Sequence, residues 1–414
     1  MFKVALAPLA ERNFRLLWLG QAVSAIGDAV VPVALAFATL SVSHSASALG
    51  LVLAISTVGS LIALPIGGVW SDRLPRQVVM LTSDWVRAAA HGAIAVLLIT
   101  GHAQLWELAA QAMLYSFAGG FFLPASGALV PQTVSAPRLQ QANALMGLSR
   151  SVAQVGGPAV AGLLVAAFGA GWVFAIDSAT FAVSAISLAM LQVPPITGKP
   201  GASFWTELAD GLRAVTSRRW YLLNLMAHAL WNFGIASFFV LGPIVASRKL
   251  GGASAWGLIS ASLGAGAVIG GLIALRVTPR RPLIAANLAL VLAPLQVLAL
   301  AVPLPTAAIM AFCMLGWIGL TFLNEVWFAT VPQLIPADVL ARATSFDWLL
   351  SIIAMPIGFA VGGPLADHIG VQSTLVAGAA IMGIPCALVV LIPGVRRVRR
   401  TTEGTIVMDQ SDAR

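Results

Sequence analysis

Asp28 stands in the middle of an apolar run, in the segment Ser24-Ala25-Ile26-Gly27-Asp28-Ala29-Val30-Val31-Pro32. A charged side chain at the centre of a membrane helix costs roughly 2.5–3.5 kcal/mol on insertion scales, so a chain that keeps one there has a use for it. The chemistry open to a lone carboxylate is reversible protonation or cation binding. Gly27 and Pro32 flank it and allow a locally irregular helix beside a cavity. Arg150 lies about 13 Å into another apolar run, at 1.5 Å of rise per residue from position 141. A guanidinium at that depth calls for an acidic partner or an anionic substrate. Asp177 and Glu325 lie inside further apolar runs, where each can line a cavity or sit near an interface. Asp84 and Arg87 are spaced i,i+3 and can pair on one helix face. Glu107 reads as interfacial. His91 and His228 read as hydrogen-bonded packing residues rather than as a proton relay.

The elements that must position these residues are membrane helices. The chain has 414 residues, 59% of them hydrophobic and 9% charged, with a mean hydropathy of +0.93. A soluble domain carries about 25% charged residues. The apolar runs read as spans over 14–40, 47–70, 78–99, 104–131, 141–168 and 171–193, then 220–247, 254–276, 282–302, 305–331, 342–368 and 371–393. The first is too long for a cleavable signal peptide and reads as a span. The expected fold is an all-α membrane protein of twelve transmembrane helices in two pseudo-symmetric six-helix bundles, 1–193 and 220–395. Residues 194–219 form the linker. Within it Phe204, Trp205, Leu208, Leu212 and Val215 share one helical face, so an amphipathic helix at the membrane surface is expected. Residues 396–414 read as a basic, polar tail without order.

The net charge of +8 does not imply nucleic acid. Of the Lys and Arg residues, Arg248 and Lys249 alone fall on one side of the mapped spans, and Arg87 and Arg150 fall within them. The remainder share the other side, which places both termini and the linker in the cytoplasm of a cell-membrane protein. Such charge also favours anionic lipid. Cys313 and Cys386 lie inside apolar runs without ligand spacing, so neither a disulfide framework nor a metal site is indicated.

The two halves repeat. Pro131-Gln132 recurs as Pro332-Gln333, and AVAGLLVAAFG at 159–169 aligns with AVGGPLADHIG at 360–370. Duplicated halves joined by a cytoplasmic loop are a layout of secondary transporters, with the substrate site near the midplane. The short turn after Trp70 carries Gly68-x-x-x-Asp72-Arg73-x-x-Arg76. This resembles the signature between the second and third spans of the major facilitator superfamily, with Pro75 in place of a Gly and Gln77 in place of a second basic residue. Gly156-Gly157-Pro158-Ala159-Val160-Ala161-Gly162 resembles the fifth-span element of antiporters in that superfamily, with Ala161 replacing one Gly. RNFRLLWLGQAVSAIGDAV, DRLPRQ, DWVRA and RLQQANAL are similar to the branch that holds the enterobactin exporter and the macrolide-efflux proteins.

The resemblance implies export of a small amphipathic compound, a drug, antibiotic or siderophore, by proton antiport with alternating access. It implies that Gly68, Asp72, Arg73, Arg76, Asp84, Arg87 and Asp347 form a cytoplasmic latch, closed in one state and broken in the other. Asp28, Arg150, Asp177 and Glu325 are the expected proton- and substrate-binding residues. The expected partners are the substrate, protons and lipid, with the protein a monomer. No cofactor is implied. A polar constellation fit for an enzyme is not evident, and neither is a phosphate-binding Gly-Lys-Ser/Thr loop. The alternatives are an importer or facilitator on the same fold and, further off, a non-transporting accessory protein.

Overall fold

The computed structural model describes residues 6–193, 212–213, 215–302 and 304–409. Within these, the side chains at 65, 68–69, 71–73, 337–339, 341–342 and 345 lie outside the description. Two compact units are present, one holding Met1–Gly201 with Ala246–Ala261 and the other Ala202–Val245 with Ser262–Arg414.

The first unit is built on α1 (Arg12–Ser43), α2 (Ala46–Arg73), α3 (Arg76–Ile99), α4 (Leu105–Thr133), α5 (Leu139–Phe168) and α6 (Ala170–Ala189). Their bounds follow the apolar runs to within a few residues. Local chemistry sets the ends. Ser45 accepts from the Ala48 amide at 3.3 Å and starts α2. Glu107 reaches back to the Gln104 amide at 2.8 Å in a capping box that starts α4. Just before α1, Glu11 accepts from the hydroxyl and amide of Ser135 and from Arg138. The Ser135 hydroxyl above all holds the Glu11 carboxyl below the usual carboxylate range.

α1 packs on α4, α5 and α6; α3 packs on α4 and α6; α2 packs on α4. Phe14, Leu17, Met80, Leu129, Met146 and Leu188 make an apolar core at one end of this unit. The helix α1 runs unbroken for 32 residues with Pro32 inside it. The local irregularity expected around Gly27 and Pro32 is therefore absent. Gly27 serves close approach instead, since a Cβ there would collide with Asp177 Oδ1 and Thr180 Oγ1.

The second unit holds α7 (Arg219–Val245), most of α8 (Ala253–Ala274), α9 (Pro282–Leu290), α10 (Pro294–Ala301), α11 (Thr306–Thr330), α12 (Ala337–Ile352), α13 (Ala354–Ile369) and α14 (Val371–Val389). The run expected at 282–302 is split into α9 and α10 just before Pro294. The run at 342–368 is split near Pro356. Each proline removes a backbone donor and crowds the preceding turn. α7 packs on α13 and α14, and α9 packs on α11.

Eleven helices are long and apolar enough to cross a membrane among the described residues. α3 is not one of them, although its 24 residues span about 36 Å at 1.5 Å each. Its deficit is chemical: Asp84, Arg87 and His91 interrupt its apolar sequence. The repeat also has a backbone counterpart. Gly169 joins α5 to α6 at φ 85°, ψ 162°, and Gly370 joins α13 to α14 at φ 87°, ψ 154°. Both need a left-handed φ that glycine adopts without strain.

Of the expected amphipathic helix in the linker, only 212–213 and 215–219 belong to the described residues. The tail departs from the expectation of disorder. Val398–Arg400 and Ile406–Met408 pair as an antiparallel hairpin, β1 with β2. Val398 and Ile406 are buried. The Arg400 amide donates to the Arg280 carbonyl at 2.8 Å, and the Ile406 amide donates to Gln333 Oε1 at 3.0 Å. Two buried apolar side chains and these anchors give the segment a reason to order.

Close helix contact in the first unit rests on small residues. A Cβ on Gly120 of α4 would fall 2.5 Å from Ala63 Cβ and 3.0 Å from the α2 backbone, whereas one on Gly127 would meet open space. Gly120→Ala should lower the unfolding temperature in detergent by several degrees. Gly127→Ala should hold or raise it, by removing a helix-interior glycine worth about 1 kcal/mol. Loss of helical circular dichroism during heating reads both.

Candidate functional site

α3 buries a polar stripe: Ser83, Asp84, Arg87 and His91, spaced so that all face inward on one helix. Everything at the site is assembled against that stripe. Arg87 is 4% exposed and Asp84 is fully buried. Arg87 Nη2 donates to Asp84 Oδ1 at 2.5 Å. Its Nη1 lies 3.7 Å from Asp28 Oδ1 on α1. The guanidinium sits between two aromatic faces, Phe122 and Phe181, each with its centroid 4.3 Å away. One cation thus serves two carboxylates in an apolar sleeve, leaving one negative charge that a proton can neutralise.

Asp28 is the exposed member of this trio, its side chain 38% accessible. Tyr115 of α4 donates its hydroxyl to Asp28 Oδ1 at 2.7 Å. The Tyr115 ring stacks on His91, centroids 4.7 Å apart and planes 18° from parallel. His91 Nδ1 in turn meets Asp177 Oδ2 at 2.6 Å, with both side chains fully buried. Thr180 donates to the other oxygen of Asp177 at 2.9 Å. Glycine at position 27 leaves room for this pair.

Asp28, Arg87 and Tyr115 line one cavity of about 710 Å³ together with Gln21, Phe122, Leu123, Arg150 and Gln154. That size lies within the range of small-molecule sites. Arg150 is exposed there and has no acidic partner among the described residues. Of the two partners expected for it, the acidic one is not found among the described residues. Asp177 does not line this cavity; it is committed to His91. Glu325 belongs to the second unit, on α11, with an exposed side chain.

The fifth-helix glycines pack as their size allows. A Cβ on Gly157 would strike Ala29 of α1, and one on Gly162 would fall 2.9 Å from Gly257 Cα on α8, within the same compact unit. Gly156 faces open space, and Pro158 lines the cavity. Of the expected latch, Gly68, Asp72 and Arg73 lie outside the described side chains. Arg76 donates to the Ala128 carbonyl at 2.9 Å. Asp84 and Arg87 belong with Asp28. Asp347 of the second unit accepts from Trp327 Nε1 at 2.7 Å and from the Tyr221 hydroxyl at 3.0 Å. Both tyrosines of the chain therefore donate to an aspartate within a helical run.

Tyr115 and the His91–Asp177 pair were not legible as functional in the sequence. The scarcity of tyrosine in a chain of this length was the one available signal.

The chain matches the family described as transmembrane secretion effector over residues 3–405. It belongs to that family of major facilitator transporters. It is a transporter and not an enzyme. It is 24% identical to macrolide efflux protein A of Streptococcus pyogenes over 94% of this chain and 97% of the relative. It is 26% identical to the multidrug efflux pump Tap of Mycolicibacterium fortuitum, over 88% and 92%. It is 24% identical to the enterobactin exporter EntS of Salmonella choleraesuis, over 94% of each chain. Its fold is similar to that of a bacterial homologue of the iron transporter ferroportin in the inward-facing state, with a TM-score of 0.72 at 19% identity, over 91% of this chain and 98% of that one. The nucleoside transporter NupG gives 0.73 at 12% identity, over 92% and 99%.

Removing one partner from a buried ion pair costs about 3–5 kcal/mol because a charge is left unpaired. Arg87→Leu should therefore destabilise this transporter by an amount of that order in detergent-unfolding titrations. Adding Asp84→Asn to Arg87→Leu should recover a substantial part, since the stranded carboxylate is then gone. A double variant as unstable as the single one would refute the shared-cation arrangement.

Proposed function

We propose that this protein is a proton antiporter that exports a small amphipathic compound. One observation carries the reading. Asp28 faces a cavity large enough for such a compound, while Arg87, the cation that approaches it, is already engaged by Asp84. Asp28 can exchange its proton with the cavity, and occupation of the cavity by substrate alters the cost of keeping it charged. Competition of substrate and proton for one site is the simplest form of antiport. The names of the relatives, macrolide efflux, multidrug efflux and enterobactin export, support the outward direction.

The cavity walls favour a ligand with an apolar body and acceptor oxygens. Phe122, Leu64 and Leu123 offer apolar surface, and Arg150 and Gln154 offer donors. Gln21 Nε2 is buried there without a partner among the described residues. In this reading α3 is the twelfth span, its polar stripe sheltered by α4 and α6 and its ends in water. The chain forms two six-helix bundles in the cell membrane with both termini cytoplasmic. The turn carrying Asp72, Arg73 and Arg76 belongs to the latch of alternating access. Arg150, without an acidic partner among the described residues, also suits an importer or facilitator of anions, which would carry substrate without a proton.

Inverted membrane vesicles separate these. With an imposed proton gradient, erythromycin, ethidium and enterobactin are added in turn while a dye reports lumenal pH. The expected result is proton efflux on addition of at least one compound, reduced at least tenfold by Asp28→Asn. Movement of a compound with no proton signal, unchanged in the variant, would establish the facilitator.

A further inference from the structure

The charges of the α3 cluster do not balance with one proton. Asp28, Asp84 and Asp177 supply three carboxylates. Arg87 supplies one permanent cation. Two further positive charges are needed for neutrality, and every member except Asp28 is buried. In a low-dielectric interior, net charge of this size is costly.

The geometry places the two missing charges separately. One belongs to Asp28 and Asp84, which share Arg87. The other belongs to His91 and Asp177. With neutral imidazole, Nδ1–H donates to the Asp177 carboxylate and the pair carries one negative charge. A proton added at Nε2 makes an imidazolium–carboxylate pair with no net charge. Nε2 is buried and has no hydrogen-bond partner among the described residues, so the proton is not pre-empted there by a bond. The surroundings suit a cation. The Tyr115 ring lies flat against the imidazole, and Phe174 and Phe181 present their rings at centroid distances of 5.1 and 5.7 Å.

The two positions are tied together by contact. Tyr115 stacks on His91 and donates to Asp28. Phe181 packs against both His91 and the Arg87 guanidinium. The titratable and charged groups around His91 are Asp28 from α1, Asp84 and Arg87 from its own helix, Tyr115 from α4 and Asp177 from α6, with Arg150 of α5 on the cavity wall.

We infer that His91 and Asp177 form a second proton-binding site, so that the transporter exchanges two protons for each substrate molecule. The inference rests on the antiport reading, and the test distinguishes failure of one from failure of the other. The purified protein is reconstituted in liposomes with the membrane potential clamped at zero by valinomycin and potassium. Whichever of erythromycin, ethidium and enterobactin is carried fastest serves as the probe. Its steady-state concentration ratio is measured against imposed pH differences. Each coupled proton contributes a factor of ten in that ratio per pH unit.

The wild-type protein should reach a ratio near 100-fold at a difference of one pH unit. His91→Gln and Asp177→Asn should each bring it to about tenfold while transport continues. A wild-type ratio of tenfold would overturn the second site, and that result needs no variant to fold. A hundredfold ratio that survives both substitutions would also overturn it. A ratio that ignores the pH difference would instead overturn the antiport reading.

Discussion

One guanidinium between two carboxylates, in a sleeve of aromatic rings, is the constraint around which the first unit is built. Arg87 cannot be buried alone, and neither Asp84 nor Asp28 can be buried without it. Asp84 provides the close partner from the same helix. Asp28 provides the distant one from α1, at a separation that leaves it only partly neutralised. The asymmetry matters. A carboxylate fully paired with arginine would be a structural ion pair and nothing more. One that is partly paired, partly exposed and fed by a tyrosine hydroxyl can change its protonation state without the cluster losing its anchor.

The scaffold answers to that cluster. α3 gives up much of its apolar character to carry it. α4 brings Tyr115 and Phe122, and α6 brings Asp177, Thr180 and Phe181. α1 gives up a side chain at Gly27 so that the Asp177 carboxylate fits behind Asp28. Helix contacts elsewhere in the unit follow the same rule of small residues at close approach, Gly120 against Ala63 and Gly157 against Ala29. Among helices in lipid there is little hydrophobic gain from association, so such contacts and the internal polar bonds carry the packing.

Much of this was legible in the sequence, and the limits have physical reasons. The long apolar helices were legible because hydrocarbon demands long apolar runs, and Asp28 stood out because such a run rarely tolerates a charge. Asp84 with Arg87 could be paired because both lie on one helix at a spacing that fixes their geometry. The His91–Asp177 pair could not, since its members are 86 positions apart. Helical periodicity tells which side chains share a face and not which face of another helix meets them. Tyr115 and Asp28 are 87 positions apart and escaped for the same reason. The breaks before Pro294 and near Pro356 were smoothed over because hydropathy averages across them. The tail's order depends on anchoring to Arg280 and Gln333, residues remote in sequence.

The central claim is that Asp28 carries a proton which it gives up when a compound occupies the cavity. The most direct measurement is proton release on binding, in purified protein held in weakly buffered detergent solution with a pH indicator. Erythromycin, ethidium or enterobactin is added at saturating concentration. The account predicts acidification on binding by the wild-type protein and its loss in Asp28→Asn, with binding itself retained as judged by equilibrium dialysis. Binding without any proton release from the wild-type protein would contradict it.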